Sequence, residues 1–209
     1  MSDKIIDINV ARKRKEKGKG FNRVYQLEIY LKNSKPLIWR RIQVPETYTF
    51  WDLHVAIQDA MGWYNCHLHE FCIYYNSVTI GIPDDDTGYA ALNEREEKIS
   101  DYFIGLNDIC NYNYDFGNYW EHEIVFENIR LKDKDRVYPL CLNGKMACPP
   151  EDCGGIWGYN DLLEILKNPG HEDYKDYIEW LGGEYNPEKF DPENVVFTDP
   201  DQVYDHCLL

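Results

Sequence analysis

Residues 112–126, YNYDFGNYWEHEIVF, decide how the rest of the chain is read. Gly117-Asn118 fits a type II′ turn, because glycine takes φ > 0 at the first central position without steric cost. The flanking alternation makes the stretch a β-hairpin. A turn centred on that pair predicts that Phe116 faces Tyr119, Asp115 faces Trp120, Tyr114 faces Glu121 and Asn113 faces His122. One face then carries Asn113, Asp115, Trp120, His122, Ile124 and Phe126. Trp120, Ile124 and Phe126 are core in this reading, with Asp115 and His122 as diagonal neighbours at its edge. Such a pair either satisfies itself, as polar groups near a core do, or supplies an orienting carboxylate and a general base.

The 209 residues suit a single domain with a substantial core, expected over 21–209, after a basic N-terminal segment at 1–20. In that segment Lys4, Arg12, Lys13, Arg14, Lys15, Lys17 and Lys19 outweigh Asp3, Asp7 and Glu16. It reads as a flexible solvated tail, or as an arm able to touch nucleic acid or an acidic surface. The whole chain carries a formal net charge of -15, so its body is a poor non-specific binder of nucleic acid or anionic membrane. With no apolar run of membrane-spanning length and no signal-peptide core, the expected location is cytoplasmic. Seven cysteines scattered over such a chain read as reduced thiols, with metal binding as the alternative.

The hairpin is flanked on its N-terminal side by a β-β-α-β-β unit. Residues 24–32 alternate as a half-buried strand, and 38–44 form a second, placing Trp39 and Arg41 on one face and Arg40 on the other. Arg40 and Arg41 either hold a carboxylate or phosphate or pair with a nearby acidic side chain. Thr49 and Asp52 make a capping-box pattern for a helix to Met61, with Phe50, Leu53, Ile57 and Met61 at helical spacing and Gly62 as its stop. Strands follow at 67–75 and 78–82. His67 and His69, two apart on one strand face, have a spacing from which two imidazoles can share a metal. The acidic run Asp84-Asp85-Asp86 lies in a loop and does not match a calcium-loop pattern.

Beyond the hairpin, residues 136–142 read as another strand ended by Asn143-Gly144. In CLNGKMACPPEDCGG, residues 141–155, Cys141, Cys148 and Cys153 lack a CxxC pair. With His171 they can complete a zinc site, or they are buried thiols. No cofactor is expected, zinc being the one alternative these residues offer. Two helices close the body, with stripes Tyr159, Leu162, Leu163, Leu166 and Tyr174, Tyr177, Ile178, Leu181, and a Pro-punctuated tail is placed to wrap the domain. The expected class is α+β: a mixed or antiparallel sheet packed with about three helices. There is no GxGxxG, P-loop, HExxH or GxSxG.

The blocks YQLEIYLKNSKPLIWRRIQVP, TFWDLHVAIQDAMGW, HLHEF, YDFGNYWEHEI, CPPEDCGGIWGYNDLLEIL and HEDYKDYIEWLGGEYNPEKFDPENV occur in an order that resembles the Ri-plasmid ORF-three-like family from about Phe21 to about Val196. The resemblance implies a compact α+β domain in a family uncharacterised in activity. Members often carry transposon-passenger or resolvase labels, although the nucleophile-bearing domain and arginine cluster of a serine resolvase have no counterpart here. Where the family pattern places an acidic residue after DFG, this chain has Asn118, leaving Asp115, Trp120 and His122 as the matching positions.

Two functions fit these residues. One is a non-catalytic interaction domain, associated with mobile elements or nucleic-acid processing, that presents Trp120 and Trp157 to a basic protein partner. The other is a small metal-assisted or hydrolytic enzyme using Asp115 and His122, with metal ligands drawn from His67 and His69 or from the three cysteines.

Overall fold

Alternation of burial builds the sheet. The computed structural model describes residues 20–203 apart from 85, 87 and 184, so the basic segment lies outside the described residues except for Gly20. In β1 (Arg23–Leu31), Leu27, Ile29 and Leu31 are sealed on one face while Gln26, Glu28 and Tyr30 are half-buried on the other. Strands β2 (Ile38–Pro45), β3 (His69–Ile73), β4 (Val78–Gly81), β5 (Leu92–Asn93), β6 (Ile109–Tyr114), β7 (Trp120–Leu131) and β8 (Leu140–Lys145) complete one eight-stranded sheet. Its order is β5-β4-β3-β6-β7-β1-β2-β8, antiparallel throughout except for the short β4–β5 pairing. The hairpin β6–β7 therefore sits between the β1–β2 and β3–β4 pairs and joins the two halves of the β-β-α-β-β unit.

Helix α1 (Phe50–Met61) covers the apolar face. Its capping box is formed: Thr49 Oγ1 accepts from the Asp52 N–H at 3.2 Å, and Asp52 Oδ2 accepts from the Thr49 N–H at 3.0 Å. Phe50 packs on Phe71 and Tyr102, and Phe71 packs on Tyr112, so the helix, two strands and the loop before β6 share one aromatic core. The tail closes over the outer side of α1. Thr198 donates to both carboxylate oxygens of Asp59 at 2.7 Å, and the Trp51 indole N–H donates to the Pro200 carbonyl at 3.1 Å. Helices α2 (Gly155–Leu166) and α3 (Tyr174–Trp180) add a further layer, with Tyr159 and Leu162 sealed in the core. No helix among the described residues is long and apolar enough to cross a membrane.

Three local readings are corrected. The hairpin turn is not the pair Gly117-Asn118: Tyr114 pairs with Trp120, Asn113 with Glu121 and Tyr112 with His122, leaving a five-residue loop, 115–119. Asp115 (φ 58°) and Tyr119 (φ 55°) take the left-handed conformations, whereas Gly117 does not. The one-residue shift moves β6 to its other face, so Tyr112 and Tyr114, not Asn113 and Asp115, share the buried face with Trp120 and His122. The strand expected to stop at Asn143-Gly144 instead runs through it, with Asn143 opposite Arg41 and Gly144 opposite Arg40. A Cβ on Gly144 would collide with the Phe190 ring and the Trp39 carbonyl, so this glycine serves close approach rather than a turn. Finally, the third strand begins only at His69, leaving His67 in the preceding loop.

Both arginines of β2 are engaged within the protein. Arg40 is buried, with Nε on the Ala60 carbonyl at 2.8 Å, Nη1 on those of Trp39 and Lys145, and its guanidinium 3.7 Å from the Phe190 ring centre. Arg41 lies on the polar face, where it bonds both oxygens of Glu127 and one of Glu28. The contacts at Gly144 lead to a stability prediction. Gly144→Ala is expected to destabilise the protein by about 1–3 kcal/mol in urea unfolding, while Gly20→Ala, with nothing within 4 Å of the added Cβ, leaves the midpoint unchanged.

Candidate functional site

Three loops meet at the end of the hairpin. The first, 62–68, leaves α1 through Gly62 in the left-handed conformation, whose N–H returns to the Gln58 carbonyl. It is held from below: the Asn65 N–H donates to Gln58 Oε1, the Cys66 N–H to the Tyr114 hydroxyl and the Trp63 indole N–H to the Pro149 carbonyl. The second is the hairpin loop, whose first residue donates its N–H to the Leu68 carbonyl at 2.9 Å. The third, 146–154, contains Cys-Pro-Pro-Glu-Asp-Cys. Glu151 fastens it to the other two, accepting from the Tyr114 hydroxyl at 2.6 Å and from the Tyr64 N–H at 2.7 Å. Gly155 has φ 67°, and a Cβ there would run into the Asn118 carbonyl, so only glycine lets the third loop lie against the second.

This convergence brings His67, Asp115 and Asp152 together. His67 Nε2 lies 3.6 Å from Asp115 Oδ2 and 3.3 Å from Asp152 Oδ1, and one ligand atom from each of the three falls within 4.8 Å of the others. Asp115 is buried, His67 is intermediate and Asp152 is exposed, so the cluster opens outward. His67 Nε2 is itself buried and has no hydrogen-bond partner. The Asp115 carboxylate is fixed by its own loop: Oδ1 accepts from the N–H groups of Gly117 and Asn118, and Oδ2 accepts from Asn118 Nδ2 at 2.6 Å. Beside the cluster lies a cavity of about 470 Å³ whose walls include His67 and Asp152.

The predicted Asp115–His122 pair does not form. His122 points into the core beneath Trp63, whose ring meets it edge-on at 5.4 Å. Its Nδ1 faces the Trp120 and Tyr112 carbonyls at 3.1 and 3.3 Å, so that nitrogen carries the proton. Asp115 is met by His67 instead. His69 also turns inward, away from His67: its ring stacks on His54 at 3.4 Å and its Nε2 bonds Glu94 at 2.6 Å. Trp120 is sealed in the core and offers no binding surface, whereas Trp157 is 81% exposed.

Among the described residues, Cys141, Cys148, Cys153 and His171 do not gather into a ligand group. Cys141 Sγ instead faces the Asn143 carbonyl and Cys153 Sγ the Gly155 carbonyl. Burial raises these thiols, Cys141 to about 11 and Cys153 to about 12, and raises Cys148 as well, so they are protonated near neutrality. Neither Asp152 nor Glu151 belongs to a motif in the sequence. The signal available for Asp152 was a carboxylate in a Pro-stiffened loop ahead of Gly154-Gly155.

An α+β sheet with a central hairpin and three converging loops defines the class, and the chain's sequence matches the profile of the plasmid pRiA4b ORF-3-like proteins over residues 23–194. The protein belongs to that family. It is 36% identical over 163 residues to the uncharacterised protein y4hQ of Sinorhizobium fredii (strain NBRC 101917 / NGR234), covering 76% of this chain and 81% of the relative. The crystal structure of MM3350, a protein of unknown function from Methanosarcina mazei Go1, superimposes with a TM-score of 0.77 at 44% identity, over 85% of this chain and 99% of that one.

The buried histidine below the site leads to a pH prediction. Burial lowers the His122 pKa from its ordinary 6.5 to about 4. Between those values the unfolded chain takes up a proton that the folded protein refuses. The His122 contribution is therefore complete above pH 6.5 and is lost as the pH falls toward 4, a span worth about 3 kcal/mol. Glu94, raised by burial from 4.5 to about 7, acts with the opposite sign: its contribution is complete below 4.5 and is lost as the pH rises through 7. Urea unfolding across this range is expected to show a stability slope that His122→Phe reduces by about one proton relative to the unmodified chain.

Proposed function

We propose that the protein binds a divalent cation through His67 Nε2, Asp115 Oδ2 and Asp152 Oδ1, and that this ion supports a hydrolytic site opening into the adjoining cavity. The observation that carries this reading is the convergence of one imidazole and two carboxylates from three separate loops, with the buried imidazole nitrogen facing both carboxylates and making no hydrogen bond. One nitrogen and two oxygen donors suit zinc, manganese or iron(II) better than a soft, thiolate-bound ion. Three protein ligands leave coordination positions free, the arrangement of catalytic rather than structural metal sites. A bound ion would supply Lewis-acid chemistry and lower the pKa of a coordinated water.

The chain's own residues prepare the site. Asn118 and the hairpin N–H groups fix the direction of the Asp115 carboxylate, as outer-shell groups do for metal ligands. Glu151 has both oxygens engaged and so positions the loops rather than moving protons. The competing reading, a non-catalytic interaction domain, draws on the exposed Trp157 and Tyr64 and requires no cation.

Calorimetric titration of chelator-treated, tag-free protein with Mn²⁺ and Zn²⁺ tests the proposal. One ion per chain is expected, with affinity reduced at least about tenfold in Asp152→Asn and in His67→Ala. Ion at about 100 times Kd is expected to raise the unfolding free energy by about 2.7 kcal/mol. Absence of stoichiometric binding, or binding unaffected by both substitutions, would leave the interaction-domain reading ahead.

A further inference from the structure

The cavity beside His67 and Asp152 is far larger than an ion requires. Its volume of about 470 Å³ falls in the range of pockets that hold organic ligands. A second recess of about 300 Å³ shares Asp152 and Trp180 with it, so the two are neighbours around one carboxylate and one indole. The chemistry of the walls is one-sided. Tyr64 and Trp180, 79% and 49% exposed, and Tyr177 supply ring faces, while Glu151, Asp152 and Asp176 supply carboxylates. No lysine or arginine lines either recess.

We propose that this double recess receives a lysine or arginine side chain of a basic polypeptide segment, held between ring faces and carboxylates next to the cation site. The inference deepens the reading above, since it names what would be presented to that site. In the ion-free protein a phosphate or carboxylate group would meet acidic walls, with no lysine or arginine to pair it. A purely apolar group would desolvate Asp152 and Asp176 without pairing them, which is costly. A guanidinium or ammonium group matches both parts of the lining, lying against the indole and facing the carboxylates. The formal charge of -15 over the whole chain adds long-range attraction for a basic segment.

The test compares acetyl-Gly-Arg-Gly-amide, its norleucine counterpart and sodium phosphate, each titrated into chelator-treated and into Zn²⁺-supplemented protein. The readout is the indole N–H resonance of Trp180, assigned with Trp180→Phe. The expected result is a saturable shift with the arginine peptide, at least tenfold weaker with norleucine and, in the chelator-treated protein, absent with phosphate. Asp176→Asn, an exposed change that leaves the three ligand residues intact, is expected to weaken it about threefold to tenfold. Equal response to arginine and norleucine, a preference for phosphate, or no saturable shift below about 10 mM in either form of the protein overturns the proposal. Arginine-peptide binding in protein that takes up no ion would sustain this inference while removing the cation site. Ion uptake without peptide binding would do the reverse.

Discussion

One carboxylate closes the hairpin on which the molecule turns. Asp115 stands in the left-handed region, where aspartate is tolerated because its side chain bonds locally, and its Oδ1 takes the two N–H groups that the loop leaves free. This makes the loop five residues long. Loop length sets the register of β6 on β7, and register decides that Tyr112 and Tyr114 face inward. From there the consequences spread: Tyr114 stacks under Trp63 and reaches Glu151, and Tyr112 bonds His54 and Gln58. The same carboxylate turns its other oxygen toward His67. Fold and site thus depend on a single side chain.

Below the loops lies a polar layer that a purely apolar core would not need. His54 bonds the Tyr112 hydroxyl and Asn65, Asn65 returns its N–H to Gln58, and His69 links to Glu94. Burial holds the His54 pKa well below its ordinary value. Such a network adds little net stability but strongly disfavours alternative arrangements, because any shift strands a buried polar atom. It lies under residues 65–69, the segment that delivers His67. The rigidity of the site is in this sense built into the core beneath it.

Periodicity made the architecture legible. Alternation over 24–32 and 38–44, the Thr49–Asp52 capping box, Gly62 as a helix stop and the buried Tyr159, Leu162 and Leu163 of α2 all reappear in the structure, as does the wrapped tail, whereas α3 ends before Leu181 and buries none of its residues. The site was legible only in fragments. The sequence presents Asp115 and His67 as candidates but pairs them with His122 and His69, both of which the structure turns into the core. The cause was one residue of register at the hairpin and two residues at the start of β3. In a strand each single step reverses the face. The competing signals were a Gly-Asn pair that imitates a two-residue turn and an Asp-x-Gly pattern that forms an Asx-type loop. Asp152 sits in a loop joined to the others through Pro149, Glu151 and Gly155, contacts that no local pattern encodes.

The central claim is that three loops assemble one cation site, and direct location of the ion tests it most squarely. Anomalous scattering at the manganese edge from crystals grown with Mn²⁺ is expected to show a peak within coordinating distance of His67 Nε2, Asp115 Oδ2 and Asp152 Oδ1. A peak elsewhere, or none with the three side chains ordered at saturating Mn²⁺, would contradict the account.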